Sequence, residues 1–168
     1  MNWFFLTLGY SGLSPKAPGT VGTLVSLPLG MLILIYFDAN TLFLATLLIS
    51  IIAVKGINKY EEESGVHDNQ KIVIDELAGM WLALSIAPAV GVASSEILDL
   101  SNGFLIQSLL AFALFRYFDI TKPSIIGRID REAKGGVGVM GDDIIAGVAA
   151  GISTAALYQI YLQLLTII

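Results

Sequence analysis

The chain has 168 residues, 55% of them hydrophobic and only 14% charged, with a mean hydropathy of +0.79. That balance excludes an ordinary water-soluble domain, and it excludes disorder, because so much apolar side chain with so little charge collapses or enters lipid. Nine basic against fourteen acidic residues (formal charge −5) argue against a nucleic-acid partner, and the absence of cysteine removes disulfides, thiolate nucleophiles and cysteine-held metals.

The expected fold class is all-α, a polytopic helical membrane bundle, with residues 1–168 forming a single membrane-embedded domain. The N-terminal Met1-Asn2-Trp3-Phe4-Phe5-Leu6 has neither a basic region nor a small-residue cleavage site, so the first spanning helix is expected to direct insertion itself. Five apolar stretches follow in order, at 21–37, 41–54, 77–93, 103–118 and 144–168. The last carries no charge and is long enough for the roughly 30 Å hydrocarbon layer. The second covers only about 21 Å at about 1.5 Å per residue, so it must borrow flanking residues, thin the bilayer or pair with the first as a re-entrant hairpin. Four or five crossings both remain open.

Basic residues fall in three connections only: Lys16; then Lys55, Lys59 and Lys71; then Arg116, Lys122, Arg128, Arg131 and Lys134. The alternate connections, 38–40 and 94–102, hold Asp38, Glu96 and Asp99 but no base. Five crossings would put every base on one face, the cytoplasmic one by the positive-inside rule. Tyr36, Phe37, Trp81, Tyr117 and Phe118, near segment ends, suit an interfacial aromatic belt as well as they suit a core.

The three basic connections also hold the chemistry. In the first, Gly12-Leu13-Ser14-Pro15-Lys16-Ala17-Pro18-Gly19-Thr20-Val21-Gly22-Thr23 runs into an apolar helix with Thr20 placed as its N-cap. Open amides there, with the Thr20 and Thr23 hydroxyls, can bind phosphate oxygens, although a plain capped helix explains the segment equally well. In the second, Asp75 and Glu76 enter an apolar span, where ionised groups are costly unless paired or metal-bound. Their side chains are about 100° apart on a helix, so both need not face one site. His67, the one histidine, is a candidate phosphate partner against the plainer reading of a surface residue, and Glu61, Glu62 and Glu63 read as a solvated acidic run.

The third is the richest. Arg116, Asp119 and Lys122 are spaced along one side of a helix that Pro123 discourages from continuing, an arrangement that an ion-pair ladder also explains. Gly135, Gly136 and Gly138 then form a flexible segment that delivers Asp142 and Asp143 to the N-terminal end of the last helix. Five carboxylates with Arg116, Lys122 and Arg131 at one membrane face suit Mg²⁺ on oxygen ligands and a phosphoryl group held by cations. A phospholipid phosphate is the substrate class this implies.

At these residues the chain resembles the phosphatidylglycerophosphatase A family. The resemblance rests on Ser11-Gly12-Leu13-Ser14-Pro15 with Pro18 to Leu24, Gly65-Val66-His67-Asp68 with Asp75-Glu76 and Gly79-Met80-Trp81, and Phe115-Arg116 with Asp119 and Lys122-Pro123. It continues through Asp130-Arg131, Gly135-Gly136-Val137-Gly138-Val139-Met140 and Asp142-Asp143-Ile144-Ile145-Ala146-Gly147. It implies a multi-pass bacterial inner-membrane enzyme that removes the terminal phosphate of phosphatidylglycerophosphate with Mg²⁺, its site facing the cytoplasm. Asp75, Glu76, Asp119, Lys122, Asp142 and Asp143 stand at the matching catalytic positions. Within that frame Glu76, Asp119 and Asp143 are the expected metal ligands. Thr20, Thr23, His67, Arg116, Lys122 and Arg131 are the phosphate partners, and Asp75 or Asp142 is the base or an orienting group. Attack by an activated water is the first mechanism and an aspartyl-phosphate on Asp119 the second. The chain reads Lys122-Pro123-Ser124-Ile125 where the family usually shows a second proline. An ion-coupled transporter or channel, with the carboxylates as a cation path, is the competing class, and a structural subunit the third.

Overall fold

A computed structural model describes residues 2–87 and 103–167, and every regular element among them is a helix. In chain order these are α1 (Trp3–Leu6), a single 3₁₀ turn (Ser11–Leu13), α2 (Pro18–Tyr36), α3 (Ala39–Ser64), α4 (Ile74–Ile86), α5 (Phe104–Thr121), α6 (Ile125–Glu132) and α7 (Gly135–Ile167). Four of them, α2, α3, α5 and α7, are long and apolar enough to cross a membrane. The second half of the expected 77–93 segment, with Glu96 and Asp99, lies outside the described residues.

Helix starts and stops differ from the apolar stretches for identifiable reasons. Pro18 occupies the first turn of α2, where its fixed φ and missing N–H cost nothing, so Thr20 sits inside that turn and is not the N-cap. α3 begins where the Asp38 carboxylate accepts the Thr41 N–H at 2.6 Å, a bond that holds the Asp38 pKa below its ordinary value. It ends at Gly65, whose φ of 68° suits glycine. Its 26 residues make a rod about 39 Å long, so the 41–54 stretch needs neither thinning nor a hairpin. Lys55 and Lys59 belong to this helix rather than to a loop, with Lys59 3.7 Å from Glu63 one turn on.

The last helix starts nine residues before its apolar stretch. Gly135, Gly136 and Gly138 are its first turns, not a flexible segment, and Asp142 and Asp143 lie two turns inside. Gly136 donates its N–H to Asn58 Oδ1 of α3 at 2.6 Å, and a Cβ there would come within 2.8 Å of the Val54 Cα. Those glycines allow two helix backbones to touch.

The core is built on α4, whose residues from Glu76 to Leu84 are all buried. α2, α3, α5 and α7 surround it. Trp81 is part of this core, donating its indole N–H to the Ser26 carbonyl at 2.9 Å, and so is not a belt residue, while Tyr36, Phe37 and Tyr117 are exposed. At Gly79 a Cβ would lie 2.6 Å from the Phe115 ring and 2.7 Å from the Asp143 carbonyl oxygen. The missing side chain therefore sets how deeply α7 settles on α4, and with it the position of Asp143. The outer faces carry exposed Leu24, Leu32, Leu44, Leu48, Ile51 and Leu164, suited to lipid tails. The first residues of α2, α4 and α7 and the last of α3 and α5 converge at one end of the bundle, as the pairings described next require.

Candidate active site

Glu76 reaches out of the first turn of α4 into a corner made by α2 and α5. Its carboxylate pairs with Arg116, and its Oε2 lies 2.7 Å from the Thr23 hydroxyl oxygen, which is also 2.9 Å from the Gly19 carbonyl oxygen as an alternative acceptor. Arg116 spreads across the corner. Nη1 also reaches Asp119 at 2.8 Å, one turn on, and Nη1 and Nη2 donate to the Thr23 and Thr20 hydroxyls at 3.3 Å each. Gly19 leaves the room this needs, since a side chain there would collide with the Glu76 carboxylate and sit 3.6 Å from Arg116 Nη2. A buried charge paired and hydrogen-bonded in this way is fixed in place rather than free for a ligand.

On the other side of Asp119 lie Asp142 and Asp143 of α7, with one carboxylate oxygen from each of the three residues within 4.8 Å of the others. Asp142 and Asp143 are buried. Lys122 follows the last residue of α5 in the left-handed region, with φ 43°, which turns it off the helical ladder and brings its Nζ to 2.7 Å from Asp142. Asp75, in the first turn of α4, accepts the Glu76 N–H on Oδ1 at 2.9 Å. Five carboxylates thus share the region with Arg116 and Lys122. That excess of buried negative charge, with three oxygens converging, fits a hard divalent cation such as Mg²⁺.

These groups line a cavity of about 400 Å³. Asp75, Glu76, Asp119, Lys122, Asp142 and Asp143 line it, together with Glu61, His67, Asp68 and Lys134. Glu61 is 8% exposed, accepting the Asp68 N–H at 3.2 Å and facing His67 Nδ1 at 3.2 Å. Only Glu62 and Glu63 of the acidic run are solvated.

The phosphatidylglycerophosphatase A family model matches residues 4–158. The chain belongs to that family. Phosphatidylglycerophosphatase A of Escherichia coli (strain K12) is 36% identical over 166 residues, 94% of this chain and 83% of the relative. The Haemophilus influenzae protein of the same name is 35% identical over 153 residues, 90% of this chain and 86% of the relative. A Bacteroides thetaiotaomicron protein, provisionally named a phosphatidylinositol-3-phosphatase, is 36% identical over 143 residues, 82% of this chain and 81% of the relative. No solved structure matches the chain.

In this chain all six residues at the expected catalytic positions line one cavity. The three converging acids are Asp119, Asp142 and Asp143; Asp142 stands where Glu76 was expected, because Arg116 and Thr23 occupy Glu76. Thr20, Thr23 and Arg116 lie behind the cavity wall rather than on it. The Arg131 side chain lies outside the described residues. Sequence reasoning missed Glu61 as a cavity residue. The signal was there, since Leu42, Thr46, Ser50, Ala53, Ile57 and Glu61 form one buried stripe at helical spacing.

Proposed function

We propose that the chain hydrolyses the terminal phosphomonoester of phosphatidylglycerophosphate, giving phosphatidylglycerol and inorganic phosphate. The observation that carries this reading is the Asp119, Asp142 and Asp143 cluster with Lys122 in one cavity, at the end of a bundle whose helices suit a bilayer. The names of the relatives support the choice of lipid. The single domain, and a site on the cytoplasmic side of a bacterial inner membrane, belong to the same proposal; the basic residues of the three connections support that orientation.

In this reading Asp119, Asp142 and Asp143 would hold a Mg²⁺, which when bound neutralises phosphoryl oxygens and acidifies water. Lys122 turns from Asp142 to a phosphoryl oxygen as the headgroup enters. Asp75, with no cation paired to it among the described residues, takes the proton of the attacking water, and this favours direct attack over a phosphorylated Asp119. Arg116 and Glu76 keep Asp119 aimed at the cavity rather than touching the phosphate, which reassigns Arg116 from phosphate partner to positioning residue. A transporter would need ionisable groups along the bundle; among the described residues the buried ones gather at one end, and the interior around α4 is filled by Ala78, Met80, Ala83, Leu84, Phe115 and Ala146.

The test is phosphate release from phosphatidylglycerophosphate in detergent micelles, with Mg²⁺ or with chelator, for the wild type and Asp119→Asn. Mg²⁺-dependent release that the substitution abolishes is the expected result. No release from folded, Mg²⁺-supplied protein overturns the substrate, and phosphatidylinositol-3-phosphate is then the next lipid to assay, given the Bacteroides relative.

A further inference from the structure

Glu61 is a buried carboxylate for which the reading above has no use, yet it forms part of the cavity wall. Both of its oxygens are engaged, Oε1 by the Asp68 N–H and Oε2 by His67 Nδ1, each at 3.2 Å. Asp68 turns the chain into this arrangement at φ 48°, in the left-handed region that aspartate tolerates better than most residues. A carboxylate fixed on Nδ1 orients an imidazole and leaves Nε2 facing away from it, free to serve as a donor. His67 lines the same cavity as Asp75 and the acid cluster, with its side chain 80% exposed. Of the charged groups, Glu61 of α3 touches the ring, Asp68 is its neighbour in the loop, and Asp75, Lys134, Glu76, Lys122 and the acid cluster line the same cavity.

The proposed reaction needs a group in this place. Expelling a glycerol alkoxide is unfavourable, and the acid cluster and Lys122 act on the phosphoryl group without offering a proton to the departing oxygen. Building on the phosphatase reading, we propose that His67 is the general acid that protonates the leaving glycerol oxygen, and that Glu61 is its positioning residue. As the water oxygen bonds to phosphorus, the bond from phosphorus to the glycerol oxygen breaks with its electron pair on that oxygen, which takes the Nε2 proton. The proton lost by the water goes to Asp75. Solvent then returns a proton to the imidazole and removes one from Asp75, leaving the alcohol, inorganic phosphate and the starting enzyme.

The test measures kcat and KM on phosphatidylglycerophosphate for the wild type, His67→Ala, Glu61→Gln and Glu61→Ala, with thermal midpoints recorded for each. Wild-type activity decides the reading of the site; the variants decide the role of His67. Expected is a loss of about 100-fold in kcat for His67→Ala with KM within about twofold, and partial recovery on adding imidazole, which the exposed site admits. Glu61→Gln, still able to accept the Asp68 N–H, should lose about tenfold in kcat at an unchanged thermal midpoint, with Glu61→Ala lower again. A raised KM with kcat retained would make His67 a phosphate ligand only. An equal loss on 4-nitrophenyl phosphate, whose leaving group needs no proton, without imidazole recovery would make the pair structural. Either result overturns the proposal.

Discussion

Glu76 and Asp143 lie in neighbouring helices at the same end of the bundle, both buried, and their surroundings differ in kind. Glu76 is held by an arginine and a threonine on two different helices, so its charge is compensated inside the protein. Asp143 instead shares its space with two more carboxylates. A satisfied carboxylate fixes geometry, whereas a crowded one leaves charge to be met by something that binds. The same residue chemistry thus builds a satisfied ion pair in one corner and, beside it, an acid cluster that could hold a cation.

The largest effect separating the two corners should come from Asp143→Asn, which is expected to lower phosphate release on the order of 10³-fold, with the fold intact by circular dichroism. Glu76→Gln should act mainly on stability: it removes one of the two carboxylates on Arg116 while Asp119 stays paired, which should lower the thermal midpoint by the equivalent of about 1–3 kcal/mol and cost less kcat than Asp143→Asn, the loss coming through the positioning of Asp119. If Glu76→Gln abolished turnover at an unchanged midpoint, Glu76 would belong with the acid cluster after all. Mg²⁺ should raise the thermal midpoint of the wild type and leave that of Asp143→Asn unmoved, a comparison that needs no substrate. Gly79→Ala, which forces a methyl against Phe115 and the Asp143 carbonyl, should cost about 1–3 kcal/mol and shift KM for the metal as α7 moves.

The smallest effect is at the opposite end of α3. The Asp38 carboxylate has its pKa below the ordinary 3.8 in the folded chain, so its contribution is present above that value and is lost as pH falls through the folded pKa. The slight thermal advantage of the wild type over Asp38→Ala should accordingly be constant at neutral pH and close on acidification below 3.8. Melting curves across that range check it.

Much of this was legible in the sequence. Apolar runs place the helices, and the carboxylates at their ends single out the site, because charge next to a long apolar run is costly. Limits of composition explain the misses. Lys55 and Lys59 shorten α3 on any hydropathy reading, although a helix that leaves the bilayer needs no apolar residues there. Gly135, Gly136 and Gly138 resemble a loop locally and become helix because α3 must come close. The acids that converge are Asp119, Asp142 and Asp143 rather than a set with Glu76, because partner choice depends on Arg116 and Lys122, whose reach is set by the end of α5 and is not a property of any one segment.

The opening of the cavity at the end of an apolar helix bundle has a kinetic consequence. A substrate anchored by its acyl chains arrives by sliding within the leaflet, so the search is two-dimensional and the tails never need to leave the hydrocarbon. Turnover should then follow the mole fraction of substrate in the micelle or bilayer rather than its bulk concentration, and diluting the surface with inert lipid should slow the enzyme even when every molecule of substrate remains in the tube.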